Sequence, residues 1–550
     1  MESLLQMERY AYKPKFPEAL NALPSEVEIV RHDVVKASAD EQELKSIFKT
    51  TYGMPLVQFK KGKSSIPATA LTVGFILSGG QAAGGHNVIT GLFDTVKNLH
   101  PESKLYGFLN GPDGLIKNAC IELTSEIIER YRNTGGFDMI GSGRTKIESP
   151  EQIQASIETV RARKLDALVI AGGDDSNTNA AILAETFKQN NLDVTVVGIP
   201  KTIDNDLKGG LIEASFGFDT ATKVYSELIG NICRDAHSAK KYWHFIKVMG
   251  RSASHIALEC ALKTQANICL ISEEVLEKKM TLKDVTNYIA DIIVKRAERG
   301  ENFGVIIVPE GLIEFIPEIK YLITELNDLM GLKGDEFAKK KSYTEQQVWL
   351  NSHLSAQARK SFEALPEQIS RELLIDRDPH GNVQVSRINT EQLLIHTVTS
   401  ELNVRKKKGT YNGKFSTYAH FFGYEGRCAF PSNFDADYCY SLGKIALYLI
   451  VNKCTGYIAC VGNLSKPSDK WEAYGIPLTG LMNIERRKGK EKPVIKKSLV
   501  SLDDKSFKVF AEGRKIWEVH TSYVYPGPIQ YFGKDTITDT RPITVTLNNE

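Results

Sequence analysis

Six short apolar runs, each closing on glycine or a polar turn and followed by a helix-like stretch, limit what this chain can fold into. They are LTVGFILSGG (71–80), ALVIAGG (167–173), VTVVGIPKT (194–202), FIKVMGR (245–251), NICLISEE (267–274) and FGVIIVPEG (303–311). Their hydrophobicity is nearly continuous rather than alternating, as strands covered by helices on both faces require. The expectation is an α/β protein with a mostly parallel sheet. At 550 residues the chain exceeds one simple core and points to about two or three domains. Residues 1–70 read as a helical N-terminal extension, because ADEQELKSIFKTTYG carries apolar positions at helical spacing and no strand run precedes Leu71. The charged, helix-forming stretch from about 318 to 375 interrupts the strand rhythm and reads as an inserted helical subdomain that also suits oligomer contacts.

In open parallel sheets ligands gather at the carboxyl ends of strands, and polar residues accumulate there in this chain. SGGQAAGGHN (78–87), which includes Gly80, offers a run of backbone N–H groups with little side chain in the way. It fits phosphate, or a plain tight turn. It is neither a P-loop nor a dinucleotide fingerprint. GSGRTK (141–146) sets Arg144 and Lys146 beside two glycines, a cationic pair suited to phosphate oxygens or a solvated basic turn. The turn GGDDS adds two adjacent carboxylates, Asp174 and Asp175. PKTIDNDLKGG (200–210) is denser, with Lys201, Thr202, Asp204 and Asp206 within six residues. A carboxylate at Asp204 suits the proton of an attacking hydroxyl, while Asp174 or Asp206 suits a magnesium ion carrying phosphate. The alternative is that these aspartates cap the next helix or close an Asx-turn.

The chain holds 69 Lys and Arg against 67 Asp and Glu, a net +2, so no global field draws in nucleic acid or an anionic membrane. Any anion must be held by a local cluster. Arg251 in VMGRSASH, Glu310 in VPEG, and Tyr424 and Arg427 in FFGYEGR supply arginines for a sugar phosphate and a carboxylate for sugar hydroxyls; each alone also fits a surface pair or a cap. The eight cysteines are scattered with no CxxC pair, so neither a zinc site nor a disulfide framework is indicated. With no apolar signal core at the start and no run of about 18 apolar residues, the expectation is a soluble, cytoplasmic protein.

The motifs GGDDSNT, PKTIDND, MGRSASH, PEG and GYEGR, in this order, resemble those of the phosphofructokinases, specifically the long pyrophosphate-dependent fructose-6-phosphate 1-phosphotransferases. The resemblance runs from about Leu71 to Gly480 and includes NTGGFDMIGSGRTKI and DPHGNVQVSRINTEQLL. It implies two similar three-layer αβα, Rossmann-like domains with mostly parallel sheets and a site in the cleft between them, with the helical insert and N-terminal extension appended. The implied divisions are a donor domain of residues 71–216 with 426–490, a fructose 6-phosphate domain of 217–425, and a C-terminal segment 491–550 packing on both. By resemblance Asp204 is the general base for the sugar 1-hydroxyl with Lys201, Thr202 and Asp206 beside it. Asp174 goes with Mg2+. Gly80 and Arg144 lie on the donor side, and Met249, Gly250, Arg251, Glu310, Tyr424 and Arg427 bind fructose 6-phosphate. A neighbouring subunit often adds basic groups to the 6-phosphate site, for which Lys240 and Lys241 are the candidates, so a homodimer or higher homo-oligomer is implied.

ATP-dependent members typically carry glycine where Asp175 and Lys201 stand. A nucleotide needs room and tolerance for charge where its α-phosphate continues; Asp175 occupies and repels there, whereas pyrophosphate ends short of it. Lys201 then neutralises the terminal phosphate of the short donor. An ATP-dependent phosphofructokinase and a non-catalytic regulatory subunit are the alternatives; the latter is expected to lose the catalytic aspartates, which are all present. A nicotinamide-dependent dehydrogenase lacks its GxGxxG turn here.

Overall fold

The computed structural model describes residues 2–21, 26–63, 69–375, 383, 385–487 and 490–550. The DPHGN part of the motif at 378–394 lies outside them. Two compact units divide the chain: Met1–Ala221 with Tyr424–Ser498 and Ile529–Glu550, and Thr222–Gly423 with Leu499–Pro528.

The first unit opens with β1 (Val27–Val34), β2 (Pro55–Lys61), β3 (Thr72–Leu77), β4 (Lys104–Phe108), β5 (Cys120–Glu122), β6 (Ala167–Gly172) and β7 (Thr195–Pro200). The second holds β8 (Trp243–Val248), β9 (Ile268–Cys269), β10 (Gly304–Pro309) and β11 (Thr417–Phe422). The chain then adds β12 (Tyr457–Gly462), β13 (Glu472–Pro477) and the hairpin β14 (Met482–Arg487) with β15 (Lys490–Ile495) to the first.

The larger sheet runs β1-β2-β13-β12-β7-β6-β3-β4-β5. Its centre, β12-β7-β6-β3-β4, is parallel, and antiparallel strands finish both sides. Every residue of β6, β7 and β12 is buried. Successive side chains point to opposite faces, so both faces are covered, which is why these strands read as unbroken apolar runs. Helices Gly85–Leu99 and Asn433–Val451 approach each other through glycine: a Cβ at Gly91 would sit 2.3 Å from the Tyr440 carbonyl oxygen, and one at Gly443 2.2 Å from that of Val88.

Residues 1–70 are not simply a helical extension. The periodic stretch does form a helix, Glu41–Ile47, but β1 and β2 flank it and lengthen the sheet beside β13. These are outer strands with mixed burial, so they lack the continuous apolar signature of the central ones. Glu185 secures this segment: its carboxylate accepts from the backbone N–H and the hydroxyl of both Thr50 and Thr51, the shortest at 2.8 Å. Glu185→Ala leaves those donors without their acceptor and is expected to cost about 2 to 4 kcal/mol in urea unfolding. A loss below about 0.5 kcal/mol would contradict this anchoring role.

The second unit's sheet, β11-β8-β10-β9, is parallel throughout. NICLISEE yields only the two-residue β9 before the helix Ser272–Glu277 begins, so that run is a short strand followed by a buried helical turn. Helices Pro317–Ala338, Tyr343–His353, Ala356–Glu363 and Glu367–Ile375 occupy the charged stretch. Their apolar residues Leu350, Phe362, Ile369 and Leu373 join the core containing Trp243, Phe245 and Ile306, so these helices share the unit's core instead of forming their own.

Candidate active site

In the first unit the turns after β3, β6 and β7 meet. Ser78 bridges to Gly143 and accepts a 2.8 Å hydrogen bond from Ser176, and the Gly79 N–H donates to the Gly143 carbonyl at 2.9 Å. The Lys201 N–H donates to the Gly172 carbonyl at 3.0 Å. The glycine pair, GSGR, GGDDS and PKTIDND are thereby drawn to one end of the parallel strands, as strand-end sites in open sheets require.

Three cations converge on the glycine pair. A Cβ at Gly80 would lie 2.1 Å from Arg427 Nη2 and 3.6 Å from Arg144 Nη2, and one at Gly79 would lie 3.1 Å from Lys201 Nζ. Glycine at both positions is what lets the cations approach the backbone, leaving a compact positive cradle for phosphate oxygens. Arg427, which the resemblance groups with the sugar-phosphate residues, lies in the first unit, as does Tyr424. Its Nε is 3.4 Å from the Gln81 carbonyl, and its guanidinium is 5.1 Å from the ring of the exposed Tyr424.

Burial and then repulsion from Arg427 push the Lys201 ammonium down to about 8, while Asp204 and Asp206 pull it upward. Above that pH the amine is neutral and loses the charge that the resemblance assigns to phosphate binding. The apparent KM for pyrophosphate is therefore expected to rise as pH passes about 8, and Lys201→Arg to remove that rise because guanidinium stays charged. A KM unchanged through pH 9, roughly one unit above that point, would contradict it. For the free protein the sign is opposite. The folded value lies below the ordinary 10.5, so the unfolded chain binds more protons between about 8 and 10.5, and stability rises with pH across that window.

The carboxylates separate by environment. Asp204 is half-buried, its backbone N–H donating to Thr202 Oγ1 at 3.1 Å. Asp206 is buried, and that burial, with Asp204 and Asp174 nearby, raises its pKa against the opposing pull of Lys497 and the Thr202 hydroxyl. The next helix starts only at Phe218, so neither aspartate is its cap. Asp174 and Asp175 open the helix Asp174–Gln189. Their partners differ: Asp175 Oδ1 pairs with Lys146 Nζ at 2.9 Å, whereas Lys497 Nζ lies 3.7 Å from Asp174 Oδ2 and 3.8 Å from Asp206 Oδ2. Among the described residues no three His, Cys, Asp or Glu side chains group as a metal cage. Two carboxylates reaching one cation match Mg2+, which takes one or two carboxylates and fills its octahedron with water and phosphate oxygens.

In the second unit Met249, Gly250 and Arg251 follow β8 and Glu310 follows β10. These two turns touch: a Cβ at Gly311 would fall 1.9 Å from the Arg251 carbonyl oxygen. Glu310 is buried and Arg251 exposed. Lys240 and Lys241 precede β8, at its amino end. A six-residue strand, about 20 Å long, separates them from Met249, so within one chain the structure does not bring them to this group.

The phosphofructokinase family model matches residues 72–347. The pyrophosphate–fructose 6-phosphate 1-phosphotransferase of Treponema pallidum is 57% identical over 99% of this chain and 97% of its own. The chain belongs to the phosphofructokinase family. A second relative with the same printed name, from Porphyromonas gingivalis, is 53% identical over 99% of both chains. The crystal structure of a pyrophosphate-dependent phosphofructokinase from Nitrosospira multiformis superposes with a TM-score of 0.54, covering 88% of this chain and 98% of that one; at 16% identity it speaks to the fold alone. In this phosphofructokinase no motif pointed to Lys497, which the structure places beside Asp174 and Asp206. Its stretch, PVIKKS, offers only a basic pair after a short apolar run.

Proposed function

We propose that this phosphofructokinase transfers a phosphoryl group reversibly between pyrophosphate and fructose 6-phosphate, a glycolytic step giving fructose 1,6-bisphosphate and phosphate. The observation that carries the reading is near-full-length identity of 57% to a protein printed with that activity. The site's chemistry agrees with it. Asp204, half-buried beside the cationic cradle, takes the proton of the sugar 1-hydroxyl as that oxygen bonds to phosphorus and the bridging P–O bond of the donor breaks. Lys201, Arg144, Arg427 and the Gly79–Gly80 backbone absorb the charge on the transferred and leaving phosphates, with Thr202 and Asp206 fixing the turn that carries Asp204. Asp174 with Asp206 would hold Mg2+, which when bound neutralises phosphate charge. Met249, Gly250, Arg251 and Glu310 bind the sugar phosphate, with Tyr424 beside Arg427.

Asp175 and Lys201 favour pyrophosphate over ATP as donor. Among the described residues no helix is long and apolar enough to cross a membrane, and the proposed setting is the cytoplasm, as a homodimer or higher homo-oligomer. The test is phosphorylation of fructose 6-phosphate by the purified protein with either donor, with and without magnesium. Activity with pyrophosphate and magnesium that ATP does not match supports the reading; activity with ATP alone overturns it.

A further inference from the structure

Lys497 is held in place by the backbone on both sides of it. The Ile495 N–H, ending β15, donates to Thr178 Oγ1 at 3.1 Å, and the Ser498 N–H donates to the Asp206 carbonyl at 2.7 Å. Thr178 lies four residues after Asp174 on the same helix, so both share one face. The end of the hairpin is thereby fastened to the metal-binding helix and to the PKTIDND turn at once. Its ammonium sits between their two carboxylates, 3.7 Å from Asp174 and 3.8 Å from Asp206.

Both separations exceed ordinary hydrogen-bond length, and the side chain is 27% exposed on a flexible four-carbon stem. A partly exposed ammonium in this place balances two neighbouring negative charges. It also occupies the junction a divalent cation would need, and two cations do not share it without strong repulsion. We propose that Lys497 is a built-in counter-ion that competes with the divalent cation for Asp174 and Asp206, so that metal alone binds the free protein weakly. With pyrophosphate bound, Asp174 and Asp206 would hold the metal that accompanies it, and the Lys497 ammonium turns to the donor's phosphate oxygens. This rests on the reading that Asp174 and Asp206 hold the metal.

The experiment titrates Mn2+ into the full-length protein and follows free Mn2+ by electron paramagnetic resonance, with and without methylenediphosphonate, a non-transferable pyrophosphate analogue. Without the analogue, Lys497→Met is expected to bind Mn2+ roughly tenfold more tightly than the wild type, and the charge-retaining Lys497→Arg within about twofold of it. With the analogue the order reverses, and Lys497→Met binds the Mn2+–analogue complex roughly tenfold more weakly. Lys497→Gln replaces the Met variant if that one does not fold. Equal or weaker Mn2+ binding by the neutral variant without the analogue overturns the role of Lys497. Absence of Mn2+ binding by every protein under both conditions overturns the metal reading, and this inference with it.

Discussion

Asp204→Asn is expected to lower turnover about 100- to 10,000-fold while fructose 6-phosphate affinity changes little. Asparagine keeps the shape and hydrogen bonding of the side chain but cannot take a proton, so the loss falls on the transition state. The structure favours Asp204 over its neighbour for this task. Asp206 is buried, engaged by the Thr202 hydroxyl and faced by Lys497, whereas Asp204 is half-buried. Turnover within about tenfold of wild type, measured in both directions, would remove Asp204 from the role of base.

Donor choice is the second large effect. A bare carboxylate about 4 Å from a phosphate at an effective dielectric near 20 repels it by about 4 kcal/mol. The structure lowers that figure, because Asp175 is 46% exposed at its side chain and paired with Lys146 at 2.9 Å. A penalty of about 1 to 2 kcal/mol remains. Asp175→Gly removes it and also releases Lys146 as a cation in the same place, so the preference for ATP relative to pyrophosphate is expected to rise about ten- to a hundredfold. Lys146→Met acts in the opposite sense, taking the Lys146 charge away from Asp175 and tightening the exclusion of ATP. On this proposal the charge balance of the pair sets donor preference.

The parts legible in the sequence share a physical cause. Strands β3, β6, β7, β8 and β10 are buried on both faces and write themselves as apolar runs, and the glycine and aspartate turns follow directly at their carboxyl ends. β1 and β2 stayed hidden because outer strands need only part of their surface apolar. Lys497 stayed hidden for a different reason. It reaches Asp174 only through the pairing of β14 with β15, a contact between positions far apart in the chain. Arg427 reads from the resemblance as a sugar-phosphate ligand; its place beside Gly80, with Arg144 near, depends on the return of the chain to the first unit at Tyr424, which the resemblance implies and no local spacing encodes.

The central claim is that two adjacent carboxylates in one turn have separate tasks, Asp174 with the metal and Asp175 with the choice of donor. The measurement is kcat/KM for pyrophosphate and for ATP in wild type, Asp174→Ala, Asp175→Gly and Lys146→Met. The expected result is that Asp174→Ala depresses both donors together, Asp175→Gly shifts their ratio toward ATP about ten- to a hundredfold, and Lys146→Met shifts it the other way. A ratio unchanged in Asp175→Gly would make that aspartate a turn residue and contradict this account of donor choice.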